Sequence, residues 1–260
     1  MRNRLRVLSF AAALLTGFIP AAAAQDFHWS GSIPQGRTIE IRGINGDVEA
    51  DPSGGNNVEV TAVKTARRDD PNAVQIQVVP SKSGVTICAV YPSRDGSTPN
   101  ECLPDGEGHM NVQNNDVSVH FTVKVPAGVQ FAGHTVNGDV RAQQLNGDLA
   151  LSTVNGSVLF STTGQGQAST VNGSIRGEMG RANWTDTLRL STVNGSITLT
   201  LPSSLDTDLR ASTVNGDITT DFPLTVSGRI SRRRLEGTIG GGGRVLSLSS
   251  VNGGIALKRS

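Results

Sequence analysis

The sequence TVNGSI at Thr170–Ile175 decides the fold, because near-identical copies of it recur along the chain. The copies share Thr or Ser, then Val-Asn-Gly, and they begin at Thr135, Thr153, Thr170, Thr192, Thr213 and Ser250. Shorter matches, INGDV and LNGDL, begin at Ile44 and Leu145. An internal repeat of this kind predicts a chain built from similar structural units.

Each copy predicts a strand next to a turn. Asn and Gly both tolerate positive φ, so an Asn-Gly pair between β-branched residues favours a change of chain direction. Segments that follow the turns, such as Ser196–Leu201, alternate polar and apolar residues, as does a strand with one buried face. Charged residues make up only 17% of the chain beside 31 glycines, which argues against a helical protein. The predicted fold class is all-β.

Two all-β arrangements fit the repeat. In an antiparallel β-meander each Asn-Gly closes a hairpin, and the nine-residue steps between Asn137, Asn146 and Asn155 suit this arrangement. In a parallel β-solenoid, which is β-helix-like, each copy stacks about 4.8 Å from the next, and asparagine amides form a ladder. Only the solenoid requires the same residues in every unit, so we favour it. The predicted ladder consists of Asn137, Asn155, Asn172, Asn194, Asn215 and Asn252, with Asn252 near the open end.

The chain is expected to divide near residue 130. Residues 25–130 predict strands without the tight repeat, and we interpret them as an irregular β-region or cap that continues into the repeat region at 131–260. The interval before the last copy, residues 219–249, is long enough for either two further units or an inserted loop.

Residues 1–24 have the three parts of a secretory signal peptide. Three arginines precede the apolar segment Val7–Ile19, and Ala22–Ala24 supplies a small-residue cleavage site. The apolar segment is shorter than the ~20 residues of a membrane span, which argues against an N-terminal anchor. After cleavage, 20 basic residues face 22 acidic ones, so a net charge of −2 gives no indication of nucleic-acid binding. We expect a periplasmic or extracellular envelope protein without a transmembrane span in the mature chain.

The two cysteines, Cys88 and Cys102, both lie in the exported part of the chain. Outside the cytosol an even pair favours a disulfide, here closing a loop rich in turn-forming residues. The alternative is a metal site with His109 or His120, but the spacing matches no known ligand pattern.

The sequence contains no enzyme signature: the nucleophile elbow, the complete phosphate-binding loop, the zinc-protease motif and the dinucleotide fingerprint are all missing. Gly240–Gly243 has the look of a phosphate loop, but no Lys-Ser or Lys-Thr follows it. Trp29, Trp184 and Tyr91 are not clustered in the sequence. We therefore predict no catalytic residue and no cofactor.

Two charged groups are weaker candidates for binding. Asp139, Asp148 and Asp217 each follow an Asn-Gly pair and would bind Ca²⁺ if they lined up, but Ser replaces Asp in the other copies, so no metal site is predicted. Arg232–Arg234 suits either an anionic glycan or lipid headgroup, or a plain solvated loop. The histidines His28, His109, His120 and His134 are scattered along the chain.

Tandem VNG(D/S)(V/I) copies after a signal peptide, preceded by a strand that ends in Val-Pro-Ala-Gly, resemble the bacterial putative-adhesin domain family. The resemblance covers roughly residues 40–257 and is strongest over 117–255. It implies a β-strand-repeat domain of unknown function, and it brings no catalytic residues with it.

These observations favour an exported, non-enzymatic β-solenoid that acts as an adhesin-like interaction or structural module of the cell envelope. Its partner would be a glycan or protein of the envelope or surface. The first alternative is a β-helical carbohydrate lyase or hydrolase, which would need clustered acidic or basic residues and aromatics on one face. The second is an ice- or surface-binding array made of the threonine column at 135, 153, 170, 192 and 213.

Overall fold

The computed structural model describes residues 27–93, 99–104, 110–112, 114–226 and 231–260, so the predicted signal peptide at 1–24 lies outside the described residues. The described chain is all-β, as predicted, apart from one short 3-10 turn at Pro71–Ala73. The strands are β1 (Phe27–Gly31), β2 (Thr38–Arg42), β3 (Val48–Pro52), β4 (Val58–Thr65), β5 (Gln75–Pro80), β6 (Gly84–Val90), β7 (Ser118–Val125), β8 (Gln130–His134), β9 (Val140–Leu145), β10 (Leu149–Ser152), β11 (Val158–Thr162), β12 (Gly166–Ser169), β13 (Ile175–Met179), β14 (Leu188–Asn194), β15 (Ile197–Leu201), β16 (Thr207–Asn215), β17 (Ile218–Thr220), β18 (Thr225–Val226), β19 (Arg234–Ile239), β20 (Val245–Asn252) and β21 (Ile255–Arg259).

The strands form two mixed sheets. Sheet A has the order β1-β4-β7-β3-β9-β11-β13-β15-β21-β17, and sheet B has the order β18-β19-β16-β20-β14-β12-β10-β8-β2-β6-β5. Through the repeat the chain alternates between the sheets, placing β8 in B, β9 in A, β10 in B and β11 in A. We call each such successive pair of strands, one in sheet B and one in sheet A, a rung.

Neighbouring rungs pair in parallel and in register through the repeat, for example Val158 with Ile175 and Ile175 with Ile197. The antiparallel meander is therefore not the arrangement of the repeated copies. The nine-residue steps that suggested hairpins arise because Asn146 lies at the opposite corner of a rung, between β9 in sheet A and β10 in sheet B.

The stacking order departs from the chain order at the C-terminal end. The last rung of the chain, β20 with β21, lies between β14 with β15 and β16 with β17. Asn252 is therefore an interior member of the stack, and the expectation that it lies near the open end is wrong. The described residues of the interval 219–249 do not add two rungs: β19 pairs antiparallel with β16, β18 pairs antiparallel with β19, and the interval ends in β20.

The N-terminal end is built in a matching way. The pair β6 and β7 stacks outside β2 and β3, although β2 and β3 come earlier in the chain. The strands β4, β1 and β5 then add antiparallel edges. Both sheets thus contain strands from before and after residue 130. Cys88 of β6 forms a disulfide with Cys102, and the two pack with Val79, Val90 and Met110.

The core lies between the two sheets. The last residue of each copy, Val or Ile, starts a sheet A strand; Val158, Ile175 and Ile197 are 0% exposed, and Ile218 on the terminal strand is half-buried. Burying one such side chain stabilises the fold by about 1.5–3 kcal/mol relative to leaving it exposed. The column of these residues explains why this motif position admits only β-branched aliphatic residues in the copies.

Candidate functional site

The threonine that opens each copy lies inside the corner of its rung, and its hydroxyl satisfies a buried carbonyl of the neighbouring rung. Thr170 Oγ1 donates to the Gly156 carbonyl at 2.8 Å, and Ser250 does the same to Gly195 at 2.9 Å. The threonines of the column are only 4–7% exposed. An ice- or surface-binding array needs outward threonines, so that alternative is wrong.

The asparagine of each copy points outward, and its amide bonds to the asparagine of the next rung. Asn172 Nδ2 donates to Asn155 Oδ1, and Asn194 Nδ2 donates to Asn172 Oδ1, both at 2.8 Å. The bonded series, each bond 2.7–2.8 Å long, runs Asn45, Asn137, Asn155, Asn172, Asn194, Asn252 and Asn215. Asn45, which belongs to the shorter INGDV match, is a member that the sequence-based prediction omitted.

The glycine of each copy is required by its close approach to the neighbouring rung. A Cβ at Gly156, Gly173 or Gly195 would lie far inside 3.0 Å of the glycine carbonyl oxygen in the adjacent rung, a separation that real Cβ atoms essentially never show. None of these three glycines has a positive φ, and neither does any asparagine of the bonded series. The expectation that Asn-Gly turns the chain through positive φ is therefore wrong at these three corners, whereas Gly46 of the shorter INGDV match has a φ of +114°. The corners instead bring successive backbones into contact.

The fifth motif position accepts a backbone hydrogen bond from the next rung. Asp139 Oδ1 accepts from Ser157 N at 2.8 Å, and Ser157 Oγ from Ser174 N at 3.3 Å. Either Asp or Ser can supply this oxygen, which explains why five of the six copies have one or the other there, Gly254 being the exception. Asp139 also contacts Arg141 Nη2 at 2.6 Å, and the hydrogen bond from Arg141 to Glu49 is the main cause that raises the pKa of Arg141.

The three aspartates considered for Ca²⁺ are not brought together. Asp139 lies at an Asn-Gly corner and is paired with Arg141, Asp148 lies at the opposite corner, and Asp217 belongs to the terminal rung of the stack. No group of three or more His, Cys, Asp or Glu side chains in the described part of the chain is placed to hold a metal ion. His120 lies 3.6 Å from Glu49, and His109 falls outside the described residues.

The valine of each copy faces solvent beside the asparagines. Val154, Val171 and Val193 are each 38% exposed, and the row continues through Val251 at 37% to Val214 at 55%. We call these five residues the valine row. It runs along the corners parallel to the asparagine series.

A second polar group lies on the outer face of sheet B, where β8 and β10 are adjacent. His134 Nδ1 lies 2.7 Å from Ser152 Oγ, and His134 Nε2 lies 3.7 Å from Glu40 Oε1. Glu40 is nearly buried and accepts hydrogen bonds from Arg42 Nε at 2.8 Å and Thr86 Oγ1 at 2.9 Å. Burial lowers the pKa of His134, Glu40 opposes this and Arg42 adds to it. Burial thus favours the neutral form of the imidazole.

Glu40, His134 and Ser152 supply a carboxylate, a base and a hydroxyl in the order needed for acyl transfer, but the arrangement lacks free backbone N–H groups for an oxyanion. Acyl transfer needs backbone N–H groups aimed at the developing oxyanion. The amide following the serine is already used, since Thr153 N donates to the Ser169 carbonyl at 3.1 Å. The 3.7 Å from imidazole to carboxylate also exceeds hydrogen-bond length. Sequence reasoning missed this cluster because only the register of β2, β8 and β10 brings these separated residues together.

Beside this cluster, sheet B has a depression of about 320 Å³ that we call the sheet B depression. Ala150 forms part of its floor, and His134 lies at one side. Its other side carries Arg189, an exposed residue that makes no ion pair with any described residue. Its polar lining is completed by Ser152, Gln167, Ser169 and Ser191.

Two of the remaining candidates, the glycine loop and Arg234, have structural partners. The backbone amides of Gly241 and Gly243 donate to Asp206 and Asp208, so the glycine loop already holds carboxylates of its own chain. Arg234 pairs with Glu236 at 2.7 Å, while the Arg232 and Arg233 side chains are exposed.

The aromatics do not form a sugar-stacking platform on the described surface. Tyr91 is buried, with its hydroxyl donating to the Val117 carbonyl at 2.9 Å, and burial raises its pKa to about 12. Trp184 is buried too, and its Nε1 donates to Val245. Trp29 lies apart on β1, at the edge of sheet A.

Comparison with known families agrees with the stacked two-sheet architecture. The sequence pattern of the family described as Toastrack DUF4097 matches residues 32–258, which span both halves of the chain. The chain belongs to the Toastrack DUF4097 family. This confirms the resemblance to a putative-adhesin domain family of unknown function. Among curated proteins, none matches the sequence of this Toastrack chain.

Three crystal structures resemble the Toastrack chain. A putative cell adhesion protein from Clostridium sporogenes is 12% identical, covers 91% of this chain and 100% of its own, and gives a TM-score of 0.51. Putative adhesins from Bacteroides fragilis and Parabacteroides merdae are 14% and 12% identical, cover 93% and 90% of this chain and 99% and 96% of their own, and give TM-scores of 0.37 and 0.26. The first likeness supports the fold. Within the residues that the structure describes, no helix has the length and apolar character needed to span a membrane.

Proposed function

We propose that this Toastrack chain is an exported, non-enzymatic, adhesin-like interaction module of the cell envelope. In this proposal residues 1–24 direct export, residues 25–130 cap one end, and residues 131–260 form a parallel β-solenoid whose asparagine ladder fixes the stacking of rungs. The description of the C. sporogenes neighbour as a putative cell adhesion protein is consistent with this role.

The observation that carries the proposal is the outer face of sheet B. Its side chains repeat in register from strand to strand, as in the series His134, Ser152, Ser169 and Ser191. Inward-facing residues on the same strands are buried in the core, so the scaffold under this face is rigid. A rigid surface with repeated hydrogen-bonding groups suits recognition of an extended partner, because little conformational entropy is lost on binding.

The test is co-sedimentation of the purified exported chain with envelope fractions of the host. Saturable binding that a soluble, size-matched control protein does not show is the expected result. Recovery of the chain entirely in the supernatant, from envelopes of every preparation tested, would overturn the interaction role.

A hydrolytic role is the second candidate, and the hydrogen bond between His134 and Ser152 is the observation that favours it. Because the neighbouring amide is not free to stabilise an oxyanion, we expect Ser152 to stay unmodified by a fluorophosphonate probe. Mass spectrometry of the probe-treated chain decides: labelling of Ser152 that is lost in a His134→Gln variant would establish the enzyme and refute the non-enzymatic proposal.

A further inference from the structure

The sheet B depression differs in its charge from four other depressions on the described surface. Four others on the described chain either contain a carboxylate, namely Asp116, Asp139 or Glu178, or contain no charged residue. The sheet B depression is lined by the cation Arg189 without any carboxylate. A guanidinium in that setting is free to form a bidentate, charge-assisted pair with a carboxylate or sulfate.

The rest of the lining is neutral and rich in hydrogen-bonding groups. Ser152, Ser169 and Ser191 stand in register on β10, β12 and β14, so their hydroxyls repeat at the strand spacing of about 4.8 Å. The hydroxyls of Ser169 and Ser191 and the amide of Gln167 make no hydrogen bond with other described residues. Hydroxyl and amide groups both donate and accept, and therefore suit a ligand that carries several hydroxyls.

The depression owes its room to small side chains. Four outward residues lie side by side across β8, β10, β12 and β14, namely Ala132, Ala150, Gln167 and Arg189 in that order. The methyl groups leave an open floor between the Glu40–His134–Ser152 cluster and the Arg189 guanidinium. A volume of about 320 Å³ lies at the small end of the range for ligand pockets and suits one sugar ring better than a long apolar chain.

We propose that the sheet B depression binds an acidic saccharide unit, a pyranose that carries a carboxylate or a sulfate. Arg189 pairs with the anionic group, Ser169 and Ser191 hydrogen-bond to ring hydroxyls, and Ala150 lies beneath the ring. This assignment rests on the proposed function, because it names the ligand class of the envelope-binding face. A phosphate-bearing lipid is disfavoured because no extended apolar surface adjoins the guanidinium in the depression.

The experiment is titration calorimetry of the full exported chain with three oligosaccharides of equal length: a polyuronate, a sulfated glycan and a neutral glycan. Binding to at least one acidic form and not to the neutral form is expected, and preference between the two acidic forms identifies the anion. Arg189→Gln should weaken that binding about tenfold or more, which corresponds to the loss of one charge-assisted hydrogen bond.

Two further variants separate a site from general charge attraction. Arg210→Gln removes an exposed arginine of the same face, two strands from Arg189 and outside the depression. It should leave affinity within about twofold, because two strand spacings, about 10 Å, exceed the Debye length of about 8 Å at physiological salt. Ala150→Leu fills the floor and should abolish binding while keeping all charges. Equal losses for Arg189→Gln and Arg210→Gln, or unchanged affinity for Ala150→Leu, would overturn the site.

Failure of the saccharide site can be distinguished from failure of the proposed envelope-binding function. If Arg189→Gln still co-sediments with envelopes as the parent does, the saccharide site is wrong and the adhesin-like role stands. If the parent chain binds neither envelopes nor any saccharide, both proposals fall. Ser169→Ala serves as a second variant if Arg189→Gln has an altered circular dichroism spectrum.

Discussion

The stacking order of the asparagines makes a quantitative prediction for alanine variants. Asn172 and Asn252 each take part in two amide–amide hydrogen bonds, whereas Asn215 takes part in one, to Asn252 at 2.8 Å. At about 1 kcal/mol for each hydrogen bond, Asn172→Ala and Asn252→Ala should each lower the free energy of unfolding by about 2 kcal/mol, and Asn215→Ala by about 1 kcal/mol. The side chains are exposed, so water satisfies the freed partners and no desolvation penalty is added.

A matched control is present in the same chain. Asn146 also precedes a glycine, but it lies at the opposite corner and its exposed side chain makes no hydrogen bond with the described residues. Asn146→Ala should therefore change the free energy of unfolding by less than about 0.5 kcal/mol, the range of ordinary surface substitutions. It controls for the effect of replacing asparagine by alanine at an exposed corner.

The assay is urea denaturation followed by circular dichroism, with free energies compared at equal m-values. Asn172→Ala combined with Asn194→Ala should cost about 1 kcal/mol less than the sum of the single variants, because the two residues share one hydrogen bond. If the rungs stacked in chain order, Asn215→Ala would cost more than Asn252→Ala. That result, or a loss for Asn146→Ala equal to that for Asn172→Ala, would refute the ladder and its order.

Three further predictions concern stability. Gly173→Ala should destabilise the protein by more than Asn172→Ala, or prevent folding, because the added Cβ would collide with the Gly156 carbonyl. A decrease in Tm no larger than that of Asn172→Ala would contradict this. Burial raises the pKa of Tyr91 to about 12, so the contribution of its neutral hydroxyl to the free energy of unfolding is complete below pH 10. The free energy of unfolding should fall by up to about 3 kcal/mol as the pH rises from 10 towards 12. Tyr91→Phe should reduce that fall, as measured by urea denaturation at alkaline pH. Because the pKa of His134 is lowered in the folded protein, its contribution to the free energy of unfolding is complete above pH 6.5 and is lost as the pH falls through the folded pKa. His134→Gln should therefore lose stability less steeply with decreasing pH than the parent. A steeper loss would disprove the assigned direction.

The sequence by itself determined the all-β class, the repeat unit and the residues that each rung contributes. The alternation in Ser196–Leu201 specifies one buried face, and the recurring Asn-Gly marks one corner of each rung. These features depend on local pattern, which is visible without knowing which rungs touch.

Three features were decided only by the tertiary structure. In the repeated Thr-Val pair, the polarity of the two residues predicts that Val is buried and Thr exposed. Instead Thr170 is buried and Val171 is exposed, because the inward carbonyl of Gly156 needs a hydrogen-bond donor. The glycines allow the backbones of neighbouring rungs to approach closely, a constraint that no single repeat contains.

The order of the rungs is the third such feature. The segment containing Asn252 inserts between rungs that precede it in the chain, and identical motifs make every position in the stack locally equivalent. Likewise Glu40, His134 and Ser152 meet only because the register of β2, β8 and β10 aligns them. Sequence pattern determines what a rung is, while pairing energies summed over whole strands determine which rung lies beside it.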